Sequence, residues 1–170
     1  MARTAHFVFL LLALPALAGT RLKTPDEEAL KAFRLTSENV RKSAAVTRRL
    51  AAEVTKDPGL AASTQYNGRR AQTLDAKAKA LERDPRIASA LRGESITARE
   101  YVMVQVTALQ AGLIAAMKAR GVEIDLADLR EAMNPANVVF VERHRIEMDD
   151  LGHSQDELRK VSNPSQDAGK

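Results

Sequence analysis

The chain has no cysteine, no tryptophan and only three histidines in 170 residues, with eight glycines and six prolines. Without cysteine there is no disulfide framework, thiolate zinc site, iron–sulfur cluster, covalently attached c-type haem or thiol nucleophile. Stability therefore rests on packing. One histidine, His6, lies in a segment read below as removed, so a histidine-rich metal site is excluded too. Catalytic signatures are missing as well. There is no Gly-rich phosphate loop, no G-x-S-x-G elbow, no EF-hand loop and no repeated Glu-x-x-His of the di-metal bundles. Glu100, Glu123, Asp125 and Asp128 read as helix-start residues, favoured there by the helix dipole, and not as a carboxylate pair in one cleft. No catalytic residue, metal ligand or cofactor is assigned.

What is present points to helix. Alanine fills 29 positions, and alanine loses no side-chain entropy in a helix. Residues 1–20, MARTAHFVFLLLALPALAGT, have the form of a secretory signal peptide. Arg3 is the basic start, 7–14 the apolar run, and Ala16-Leu17-Ala18 the small-x-small pattern, which predicts cleavage between Ala18 and Gly19. The apolar run is shorter than the ~20 residues of a membrane span. Leu17-Ala18-Gly19-Thr20 is similar to the bacterial lipoprotein processing box, with Thr20 where the lipid-bearing Cys would stand. No thioether lipid can form on threonine. The expectation is release into the periplasm or beyond, with no membrane span after cleavage.

Punctuation divides the rest. Thr24-Pro25-Asp26-Glu27 reads as a helix start, with Thr36 and Ser37 as a kink or restart. Val40, Ala44, Thr47, Ala51 and Val54 step by four and three, a bundle-helix stripe that Asp57-Pro58 ends. Residues 63–68 read as a polar loop. A helix over about 70–82 follows, with Ala71, Leu74, Ala78 and Leu81 inward, and then a short one over 86–91 after Asp84-Pro85. KDPGLAAS at 56–63 and RDPRIASA at 83–90 share a form, but two eight-residue copies make no solenoid.

Thr97-Ala98-Arg99-Glu100 opens a helix predicted over 98–120, stopped by Gly121. Its wheel carries Val102, Val106, Leu109, Leu113 and Met117 on a large-residue face, assigned to the main core. Val104, Ala108, Ala111, Gly112, Ala115 and Ala119 form a small-residue face, assigned to a close helix contact at Gly112. Thr107, Gln110 and Lys118, with Met103 and Ile114, take the remaining side. Beyond it come a short helix from Asp125 to Met133 and a last helix from Ala136 to Leu151, ended by Gly152. His144 falls on the apolar side of that last helix. It reads either as a haem ligand paired with Met103 or Met117 across the core, or as a boundary histidine bonded to a backbone carbonyl.

Charge is uneven. Residues 19–92 carry sixteen Lys and Arg against nine Asp and Glu, and residues 93–170 carry nine against thirteen. This reads either as a basic surface for an anionic partner or as solvated faces with self-complementary halves. After residue 18 the aromatics are Phe33, Tyr66, Tyr101 and Phe140, too few for a base-stacking platform, so nucleic acid is excluded.

Two stretches, 96–110 (ITAREYVMVQVTALQ) and 134–144 (NPANVVFVERH), resemble segments of a group of small exported helical proteins of Gram-negative bacteria. The resemblance implies a helical fold and a periplasmic location, and it carries no site residues. The sequence thus predicts a single all-α domain, an irregular bundle of about four main and two short helices centred on 98–120. Its parts are a signal peptide at 1–18, the bundle at 19–152 and a disordered polar tail at 153–170. The expected role is non-enzymatic, in contact with another periplasmic protein or an anionic surface. A haem- or ligand-binding bundle using His144 is the alternative.

Overall fold

Thr36, Asp84 and Thr97 each start a helix, and Asp57 ends one and caps the short 3-10 turn Pro58–Leu60. The computed structural model describes residues 24–64, 73–125, 127, 129–130 and 133–163. The predicted leader, and with it the cleavage at Ala18 and Gly19, lies outside the described residues. Among these there are eight bounded α-helices and no strand, so the fold is all-α. They are α1 (Thr24–Ala32), α2 (Ser37–Lys56), α3 (Ala61–Thr64), α4 (Leu74–Glu82), α5 (Pro85–Gly93), α6 (Ala98–Ala119), α7 (Pro135–Arg143) and α8 (Arg145–Ser162).

Caps explain the boundaries. Thr36 and Asn39 form a reciprocal capping box on α2: the Thr36 N–H donates to Asn39 Oδ1 at 2.9 Å, and the Asn39 N–H to Thr36 Oγ1 at 3.1 Å. Thr97 accepts the Glu100 N–H at 3.1 Å. Asp57 and Asp84 cap the turns after them, each with proline next in line. Arg86 ties the two turns together, at 2.6 Å from Asp57 and 3.0 Å from Asp84. The two similar octapeptides are therefore neighbours that share one guanidinium. Asp26 is buried, in the first turn of α1, and bonds to another helix. Its Oδ2 accepts the Leu74 N–H, the first of α4, at 3.0 Å.

Three predicted elements are corrected. The helix assigned to 136–151 is two helices, because His144 leaves helical geometry at φ −109 and ψ 49. The break re-aims the chain so that α8 lies along α2, its most extensive partner. Gly152 does not end α8, which runs ten residues further to Ser162, so the predicted tail is helical over most of its length; 164–170 lie outside the described residues. Leu151 and Ser154 are buried, and Leu158 and Val161 pack on the core; that burial outweighs the ~1 kcal/mol of an interior glycine. The polar loop predicted at 63–68 does not include Ser63 and Thr64, which close α3; 65–72, with Ala71, lie outside the described residues. Among the described residues eight α-helices thus stand where about four main and two short ones were predicted; the short helix predicted over 125–133 includes 126, 128 and 131–132, which lie outside the described residues.

The core has three parts. The first gathers Val46, Leu50, Val54, Leu74, Leu81, Ile87, Tyr101 and Val102 from α2, α4, α5 and α6. The second joins Val40, Ala44, Val104, Ala108 and Leu151 from α2, α6 and α8. The third sets Ala111 against Leu129, Met133 and Val138. The stripe predicted on α2 is buried at all five positions.

Candidate functional site

Helix α6 holds the bundle together by only part of its length. Tyr101 to Gln105 are all buried. Of the large-residue face assigned to the core, Val102 is buried and Val106 packs on the first cluster, but Leu109 is 54% exposed, Leu113 45% and Met117 37%. That assignment is corrected for the last three turns. The reason is which side the neighbours take. Helix α7 packs on Ala111, Ile114 and Ala115 and reaches Lys118 through Glu142, on the side of α6 away from Leu109, Leu113 and Met117. The long helices α2 and α8 spend their surface mainly on each other. The small face is the one turned inward: Ala108 and Ala111 are buried and Ala115 packs on the third cluster. Gly112 makes no close contact, since a Cβ built there meets nothing within 4 Å. Thr107, assigned to an outer side, is 1% exposed.

The uncovered face is therefore a strip of Leu109, Leu113 and Met117, with Gly112 and Ala116 between them and Val122 just past the end, 44% exposed. Gly121, at φ +81, turns the chain there, and the Val122 N–H returns to Met117 O at 3.1 Å. By length and composition α6 is apolar enough to cross a membrane, yet its first turns are core.

The residues singled out for a cofactor stand apart. His144 caps the α7–α8 break and stacks on Phe140 at 4.2 Å. Its Nδ1 is 3.3 Å from Ser37 Oγ and 3.4 Å from Glu147 Oε1, and the Ser37 hydroxyl donates to Glu147 at 3.1 Å. Met103 lies in the first core cluster, and Met117 is exposed about 21 Å away along α6. Serine, histidine and carboxylate meet here, but both oxygens crowd one ring nitrogen. A nucleophilic triad needs the carboxylate on one nitrogen and the serine on the other. The cluster instead fastens the first turns of α2 and α8 to each other. Glu147 is held below the usual carboxylate range, chiefly by its own backbone N–H, then by His144 and Ser37. Among the described residues no three of His, Asp and Glu converge as a metal ion would require.

A buried polar seam was not read from the sequence. The Gln105 amide donates to Ser43 Oγ at 2.8 Å, Thr47 Oγ1 lies 3.0 Å from the Tyr101 hydroxyl, and Gln155 donates to Gln105. Burial pushes the Tyr101 phenol up to about 12, against a smaller opposing effect of Thr47. The seam joins α2, α6 and α8 and sets their register. The uneven charge is partly settled within the fold, where Arg48 meets Asp150 at 2.7 Å and Arg49 meets Glu94 at 2.8 Å. No family model, curated protein or solved structure matches the chain.

Proposed function

We propose that this chain is an exported protein, cut between Ala18 and Gly19, that acts in the periplasm or outside the cell by binding another macromolecule and not by catalysis. The leader-like residues 1–20 support the export, and the absence of a catalytic constellation in the sequence supports the second half. The observation that carries the binding role is the uncovered strip of α6. Single exposed apolar residues are ordinary, but three in one helical column beside an open glycine form a continuous patch of the kind that marks contact surfaces.

Two measurements test it. Intact mass of protein recovered from a periplasmic extract should start at Gly19; a membrane-bound chain retaining residues 1–18 refutes the export. A photo-crosslinking side chain at Leu113 should give an adduct in cells, while one at exposed Arg83 should not. Equal behaviour at the two positions refutes the strip as a contact.

A further inference from the structure

The uncovered part of α6 is one side-chain column wide and about three turns long, a shape that fits another helix. We propose that its occupant is the same helix of a second copy, giving a weak two-fold dimer, an inference that takes the binding role above as given and names the partner for it.

Leu109, Gly112, Leu113 and Ala116 stand at i, i+3, i+4 and i+7. These are the four corners of a hole that accepts one side chain from a facing helix. Leu113 also projects as a knob of the same face, 45% exposed. An isologous contact needs knob and hole on one surface, and this surface has both. An antiparallel crossing centred on Leu113 sets Leu109 of each copy against Met117 of the other.

Gly112 adds an independent sign. An interior helical glycine is destabilising relative to alanine. Among the described residues nothing crowds Gly112, since a Cβ built there has no atom within 4 Å. Close approach from outside gives the missing side chain a reason.

Charge favours the same occupant. From Val102 through Met117 no residue is charged. In a two-fold contact any charge near the axis meets its own copy, so a neutral centre removes that repulsion. Charged groups begin only with Lys118, Arg120, Glu123 and Asp125, which an antiparallel crossing carries to opposite ends. Lys118 is already paired with Glu142 at 2.7 Å, which leaves Arg120 outnumbered by Glu123 and Asp125 and disfavours an anionic lipid surface. Area sets the strength. Four half-exposed side chains offer on the order of 300 Å² of apolar surface, short of the ~800 Å² per partner of a stable interface. The dimer is therefore reversible and concentration-dependent.

Sedimentation equilibrium of the purified chain over a wide concentration range should show the mass rising from one copy toward two. Leu113→Asp and Gly112→Leu should weaken the association by about tenfold or more. Ile146→Asp, at an 84%-exposed apolar residue off the strip, should leave it unchanged. Circular dichroism checks that each variant folds. A wild type that stays monomeric at the highest concentration, or a Leu113→Asp variant that dimerises as well as wild type, overturns the proposal. The crosslink at Leu113 separates the two levels. An adduct of twice the chain mass supports the second copy. An adduct with a different protein overturns the second copy and keeps the binding role, and no adduct overturns both.

Discussion

Asn137 Oδ1 accepts the backbone N–H of Leu35 at 2.9 Å, a bond that spans 102 positions of sequence. The same amide donates from Nδ2 to Phe33 O at 2.9 Å, so one side chain serves a donor and an acceptor of the link between α1 and α2. Asn137 is 1% exposed. It pins α7 to the far end of the chain as a backbone strand would.

Removing that amide should therefore be severe for a single polar residue. Asn137→Ala leaves a buried N–H and a carbonyl without partners, each costing about 1–3 kcal/mol. A loss of about 2–4 kcal/mol in urea melts is expected. A loss under about 0.5 kcal/mol, the range of an ordinary surface change, would show that water replaces the amide.

The glycine of α6 makes an opposite prediction to the one its sequence pattern suggests. Because a Cβ at Gly112 meets nothing within 4 Å, Gly112→Ala gains helix propensity and loses no room. It should stabilise the dilute monomer by about 0.5–1 kcal/mol. Leu109→Ala should cost well under the ~2–5 kcal/mol of a core leucine, whereas Leu50→Ala, at 1% exposure, should cost the full amount. Melts at low concentration rank the three. A destabilised Gly112→Ala monomer contradicts the open environment.

Thr107 is 1% exposed and its hydroxyl has no partner among the described residues. Thr107→Val keeps the shape and removes the unpaired oxygen. A gain of about 1 kcal/mol follows from the desolvation that an unpaired hydroxyl suffers. Thermal melts in which the valine variant is the less stable would mean that the hydroxyl finds a water or a carbonyl in solution.

Tyr101 links stability to alkaline pH. Its folded value is raised from 10.0 to about 12 by burial, so its contribution is fully present below pH 10 and is lost as pH rises to about 12. Wild type minus Tyr101→Phe, compared by denaturant midpoint across that window, should show the loss only in wild type. Identical pH curves would indicate that the phenol ionises at its ordinary value. The variant should itself be modestly weakened, because Thr47 loses a partner at 3.0 Å while keeping its bond to Ser43 O at 2.8 Å.

Local chemistry alone determined the helical class, the stripe of α2, the starts at Asp84 and Thr97, and the stop at Gly121. Caps, proline positions and 3.6-residue periodicity act over a few residues, so they can be read in order along the chain. Tertiary structure decided which faces of α6 are covered. A periodic stripe says that a face is apolar, but only the placement of neighbouring helices says which face they cover, and α7 lies on the side of Ala111 and Ala115, away from Leu109, Leu113 and Met117. The break at His144 and the continuation through Gly152 were decided in the same way. Neither residue type dictates its conformation, and the packing of α8 along α2 outweighs their local preferences. The burial of Asn137, Gln105 and Asp26 was not legible in the sequence, because burying a polar side chain depends on partners 48 to 102 positions away, which no local pattern contains.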